Sequence, residues 1–128
     1  MKNPGLIKSF LAGGTISPYT AVKFGSDDDT VVAAAAVGDL LLGVVDIPAQ
    51  GDVESGERAD VVLTGVAEII YGGNVTRGQK LTVDANGYAV AAAPATGVNN
   101  QILGVALVSG VSGDVGSVLL AQGVMQGA

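Results

Sequence analysis

A block of sequence occurs twice in this chain, and that repeat limits what the chain can fold into. The copies run over about Ile16 to Val66 and Val75 to Val124. Val32-Ala33-Ala34-Ala35 returns 58 residues later as Val90-Ala91-Ala92-Ala93. Leu42-Gly43-Val44 returns 61 residues later as Leu103-Gly104-Val105, and Gly65-Val66 returns 58 residues later as Gly123-Val124. Each copy reads as strand, turn, strand, glycine-containing turn, strand, turn, strand. A solenoid needs at least about three repeats. Two copies point instead to one compact domain with two similar halves, spanning residues 15–128 behind an arm of residues 1–14.

Composition sets the class. The chain has 20 glycines and only five aromatic residues, Phe10, Tyr19, Phe24, Tyr71 and Tyr88. A core of Val, Leu, Ile and Ala with many glycines predicts short strands and tight turns. The expected fold is all-β, a compact β-barrel or β-sandwich-like domain. Lys80 to Asp84 alternates, with Leu81 and Val83 inward. Asp84-Ala85-Asn86-Gly87 is the best hairpin signal, because Asn-Gly accepts positive φ. Ala59 to Tyr71 reads as the longest strand, bent or bulged at Gly65.

Charge and missing residue types narrow the function. With no His and no Cys, His-dependent triads, the common zinc sites and thiolate chemistry are excluded. Lys2, Lys8 and Lys23 give residues 1–26 a charge of +3 with no acid, and the rest carries −9, for a net −6. An acidic body repels phosphate, so nucleic acid is not the expected partner. Lys8 interrupts the apolar part of the leader, and polar residues break the uncharged run Ala85 to Gly113, so no signal peptide or membrane span is expected.

Candidate chemistry is weak. Gly73 to Lys80 approaches a phosphate loop, but Gln79 displaces the lysine and Leu81 stands where a hydroxyl belongs. Asp27-Asp28-Asp29 and the set Asp52, Glu54 and Glu57 sit in polar turns, where carboxylates stay solvated. Glu68 lies within an apolar strand, and alternation puts it on the solvent face unless Gly65 changes the phase. The expectation is a protein with no catalytic residues, no cofactor and no metal. Residues 1–14 hold Leu6, Ile7, Phe10 and Leu11 between Pro4-Gly5 and Gly13-Gly14. They read either as a terminus packed on its own domain or as an arm reaching a partner.

The order Gly13-Gly14-Thr15-Ile16, Leu42-Gly43-Val44, Gly56-Glu57, Asp60-Val61-Val62-Leu63, Asp84-Ala85-Asn86-Gly87-Tyr88 and Leu103-Gly104-Val105-Ala106-Leu107 resembles the small tailed-phage capsid cement, or head decoration, proteins. The resemblance covers about Gly13 to Val124. Some uncharacterised relatives carry a phage recombinase label, which the residues here do not support. The resemblance implies a β domain made in the host cytoplasm and carried on the outer surface of the virion. It implies binding to the major capsid protein at capsomer junctions of the expanded head, and a homo-oligomer, a trimer rather than a dimer. Its arm would use Lys2, Leu6, Ile7, Lys8, Phe10 and Leu11 as capsid contacts. Ordering a free arm of this length costs more than four apolar side chains return, unless it is strand-paired. The alternatives are another β-rich virion component, from a tail or fibre, and a small ligand-binding β-barrel.

Overall fold

The computed structural model describes residues 3–46 and 51–127, and every element among them is a β-strand. After β1 (Asn3–Pro4), five strands form a closed barrel: β2 (Ile7–Ala12), β3 (Thr20–Phe24), β4 (Thr30–Ala33), β5 (Gly43–Val45) and β6 (Arg58–Val62). Its order is β2-β4-β3-β5-β6. The remaining strands are β7 (Gly65–Ile70), β8 (Lys80–Val83), β9 (Ala89–Ala91), β10 (Asn99–Ala106) and β11 (Val115–Gln126). They make a curled sheet in the order β7-β11-β10-β8-β9, with β1 added beyond β7. The fold is therefore all-β and barrel-like.

The curled sheet repeats the barrel strand for strand. The barrel closes by a parallel pairing in which Ala12 meets Val31. The sheet curls until Tyr71 meets Ala89, also in parallel. Ile16 bridges Val53 in one unit as Val75 bridges Gly110 in the other. The left-handed residues coincide as well: Tyr19 with Gly78, Asp29 with Gly87, and Gly56 with Gly113. Even the turn before the last strand is copied. The Glu54 N–H donates to Glu57 Oε1 at 2.8 Å, and the Val111 N–H donates to Asp114 Oδ2 at 2.9 Å. The interiors match too, with Phe10, Ile16, Val22, Val31 and Val61 buried where Ile69, Val75, Leu81, Ala89 and Val118 are buried.

These equivalences move the boundaries of the repeat. Its first strand is β2 in one copy and β7 in the other, so each copy starts before the landmark residues do. Gly65 and Gly123 are not equivalent: Gly65 opens β7 at φ 88°, whereas Gly123 lies inside β11. Ala59 to Tyr71 is not one bulged strand. It is the passage from β6 to β7, where the chain leaves the first unit for the second.

Residues 3–12 are also not a projecting arm. Asn3 and Pro4 pair with Val66 and Gly65. Ile7 to Leu11 pair with Val62 to Arg58. The alternation of Phe10 and Ala12 inward explains this, since a strand that fills a barrel core and completes its ladder recovers the ordering cost that a free arm cannot.

The units share one buried cluster. Val44, Val62, Ala21, Ala34 and Leu41 on the outside of the first barrel belong to the same buried cluster as Ala67, Ile69 and Val83 of the second unit. Backbone bonds stitch the seam: the Ile70 N–H donates to the Tyr19 carbonyl at 3.0 Å, and the Ala21 N–H to that of Gly87 at 2.9 Å. Gly87 is required here, because a Cβ would run into Thr20 and the Ala34 carbonyl.

Candidate docking surface

Strand β2 and the residue before it divide the expected capsid-contact residues between core and surface. Phe10 is buried in the first barrel and stacks edge-on with Phe24, their ring centroids 6.4 Å apart. It is a core residue because its strand faces inward at that position. Leu11 is half-buried on β2. Leu6 and Ile7 are exposed, at 58% and 43%. Lys8 is engaged within the chain: its Nζ lies 2.9 Å from Asp29 Oδ1 and 4.2 Å from the centre of the Phe10 ring. Lys2 lies outside the described residues.

The acidic clusters are turn chemistry. Asp29 joins β2 to β6 by pairing with both Lys8 and Arg58, at 2.9 and 3.1 Å. Hydrogen bonds from Lys8 and then Arg58 hold its carboxyl below the usual carboxylate range. Asp39 closes the loop after β4. Burial works against its charge, but the Ala35 N–H, Lys23 and the Ala36 N–H outweigh burial and lower its pKa. Glu54 accepts from the Thr15 hydroxyl at 3.2 Å. The Glu68 side chain is half-buried on the outer side of β7, and its backbone N–H donates to Asp46 Oδ2 at 3.2 Å. Among the described residues no three His, Cys, Asp or Glu side chains converge as a cation cage would require. Lys80 opens β8, and Gly73 to Gln79 lie in the connector from β7 to β8. The Thr76 N–H there donates to Gln79 Oε1 at 2.8 Å, and the Arg77 N–H to Ser109 Oγ at 3.0 Å.

What stands out is an apolar outer face on the second unit. Across β7, β11 and β10 the register aligns Val66 with Leu119 and Leu119 with Val105. Leu107 and Val108 just after β10, and Val115 beyond the Ser117 and Glu68 pair, are exposed, as is Leu119. A shallow groove of about 320 Å³ runs along this face, between Asn3, Val66, Leu107, Val108 and Ser117. Val108, one of its walls, is tied to the core by Tyr71, whose hydroxyl donates to the Val108 carbonyl at 2.7 Å. Burial raises the pKa of that phenol. Reading the sequence without strand phases missed this face. The alternation in β11 carries the signal, since Val118 and Leu120 point in and so Leu119 points out.

No protein-family model matches the sequence, and no curated protein does. Among solved structures, the chain is similar to the N base of the head fiber protein gp8.5 of bacteriophage phi29. That match has a TM-score of 0.67 at 18% sequence identity and covers 94% of this chain and 98% of that one. At this identity the likeness is one of fold, and it extends over both units.

Proposed function

We propose that this protein is a structural component of a phage virion, seated on the outside of the head through contacts with the major capsid protein. The observation that carries the reading is the shared fold, matched almost end to end with the base of a phage head fiber. The exposed apolar side chains on and beside β10 and β11 fit it, because protein contacts are among the roles such patches serve. In this reading the protein acts as cement, binding capsomer junctions of the expanded shell as a homo-oligomer. Leu6 and Ile7 remain candidate shell contacts, held at the surface by β2 rather than on a loose arm.

A second reading follows from the same neighbour: the chain is the base on which a head fiber stands. Electron cryo-microscopy of decorated shells separates the two, since cement forms a low knob at every junction and a base carries a projecting stalk. The first test is co-sedimentation with expanded, undecorated shells. Saturable binding at a fixed ratio to the shell protein supports either reading, and Leu6→Ser with Ile7→Ser should weaken it. No binding to shells shown to be expanded overturns both.

A further inference from the structure

The internal repeat identifies what the apolar face of the second unit is built to meet. In the first unit the cross-strand row is Ile7, Val62 and Val44. Its equivalent in the second unit is Val66, Leu119 and Val105. Val62 and Val44 are 0% exposed because the second unit covers them, whereas Leu119 is 43% exposed. Over Val44 and Val62 that outer face is thus covered within the chain, whereas at the equivalent Val105 and Leu119 it is half-buried and exposed; at the far end of the row Ile7 is 43% exposed and Val66 half-buried.

The covering surface is also present twice. In the second unit it is made by Ala67, Val83 and the turn at Gly87. The equivalent positions in the first unit are Lys8, Phe24 and Asp29. Phe24 is 49% exposed there, an aromatic ring at the open mouth of its barrel.

We propose that a second copy of this chain occupies the open face, head to tail. The face of Val105 and Leu119 then meets the Phe24 mouth of the next copy, as Val44 and Val62 meet the mouth of the second unit within one copy. Charge supports the match. Lys80 stands where Ala21 receives the Gly87 turn, and the equivalent turn of the first unit is Asp27-Asp28-Asp29. An exposed lysine on one face therefore meets an acidic turn on the other. Asp29 has a side chain where Gly87 has none, so the contact between copies is wider there and charge-paired, not a backbone hydrogen bond. A head-to-tail contact of this kind closes into a ring when its rotation divides the circle, and otherwise grows as a filament.

This inference rests on the homo-oligomer in the proposed function and not on capsid binding. The test is light scattering coupled to size exclusion at high micromolar concentration. The intact chain should run at several times 12.6 kDa, as one species if the contact closes into a ring and as a spread of larger ones if it does not. Leu119→Arg should run as a monomer with an unchanged β circular dichroism spectrum, and so should Phe24→Asp. If Phe24→Asp does not fold, Asp28→Arg tests the same turn. Mixing the two variants in equal amounts should give a heterodimer and nothing larger, since each keeps one good face. A monomeric intact chain, a Leu119→Arg variant of unchanged mass, or a mixture that stays monomeric would each overturn the proposal. A monomeric intact chain that still sediments with shells would remove the ring and leave shell binding standing.

Discussion

The pairing of Tyr71 with Gly116 lets the duplicated core be tested by mutation. In the second unit Tyr71 lies fully buried, and Gly116 on β11 faces its ring. At the equivalent positions the first unit carries Ala12 and Ala59, both buried. The two cores divide similar space differently, one as large plus absent and the other as small plus small. Gly116→Ala places a Cβ against Tyr71 Cζ and Oη, far inside van der Waals contact. Overpacking of that kind costs about 1–3 kcal/mol. If the ring shifts and the Val108 carbonyl loses its donor, a further ~1–3 kcal/mol follows. Tyr71→Ala alone opens a cavity and costs roughly 3–5 kcal/mol. In the double variant the added methyl has no ring to strike and partly fills the hole, recreating the Ala12 and Ala59 pair. Its destabilisation should fall short of the summed single effects by about 2–3 kcal/mol. Urea unfolding followed by circular dichroism at fixed protein concentration gives all four stabilities. Additivity within about 0.5 kcal/mol would show that the two residues do not share space, and the proposed equivalence of the cores would fail with it.

Other outcomes follow from single groups. Thr82 is buried on β8 and its hydroxyl has no hydrogen-bond partner among the described residues. Thr82→Val should therefore stabilise the protein by about 1 kcal/mol in the same urea assay. Asp29 and Asp39 ionise more readily in the folded chain than their ordinary value of 3.8 allows. Their contribution is present above that value and is lost as pH falls through the lowered native values. The melting temperature should drop on acidification below about pH 4, and less steeply in Asp39→Ala. Tyr71 has the opposite sign, with its native pKa raised above 10.0 by burial. Its contribution is complete below that value and is lost as pH rises through the native one. Tyr71→Phe should flatten the alkaline loss of stability, and an ultraviolet difference titration should show one late-ionising phenol disappear.

The sequence made the repeat legible because turns are locally encoded. Asp84-Ala85-Asn86-Gly87 forms the turn between β8 and β9, and the Leu42-Gly43-Val44 and Leu103-Gly104-Val105 landmarks occupy equivalent places. Gly43 and Gly104 show why: a Cβ at either would strike the backbone of the neighbouring strand, at Val62 and Leu119. The first strand of each copy was harder to read. Ile7 to Ala12 and Val66 to Tyr71 share alternation but no identical residue, because an inward position demands only an apolar side chain of suitable size. Phe10 and Ile69 meet that demand equally. The docking face was hidden for a related reason. Whether Val62 or Leu119 is covered depends on how the units pack against each other, and nothing local in either strand records it.

The position of β1 bears on synthesis. Its two residues belong to the sheet of the second unit, while the strand that follows belongs to the first barrel. All five strands of the first barrel lie within Ile7 to Val62, so they can assemble while the second unit is still being translated. Asn3 and Pro4 must wait for Gly65 and Val66 to emerge. β1 is then fastened beside the junction between units, where the Gly5 N–H donates to the Thr64 carbonyl at 2.9 Å. A protease cut at Thr64, the exposed residue between β6 and β7, would sever the covalent link and leave β1 as a second tie between the halves. The expected product is a nicked protein that holds together until it is denatured.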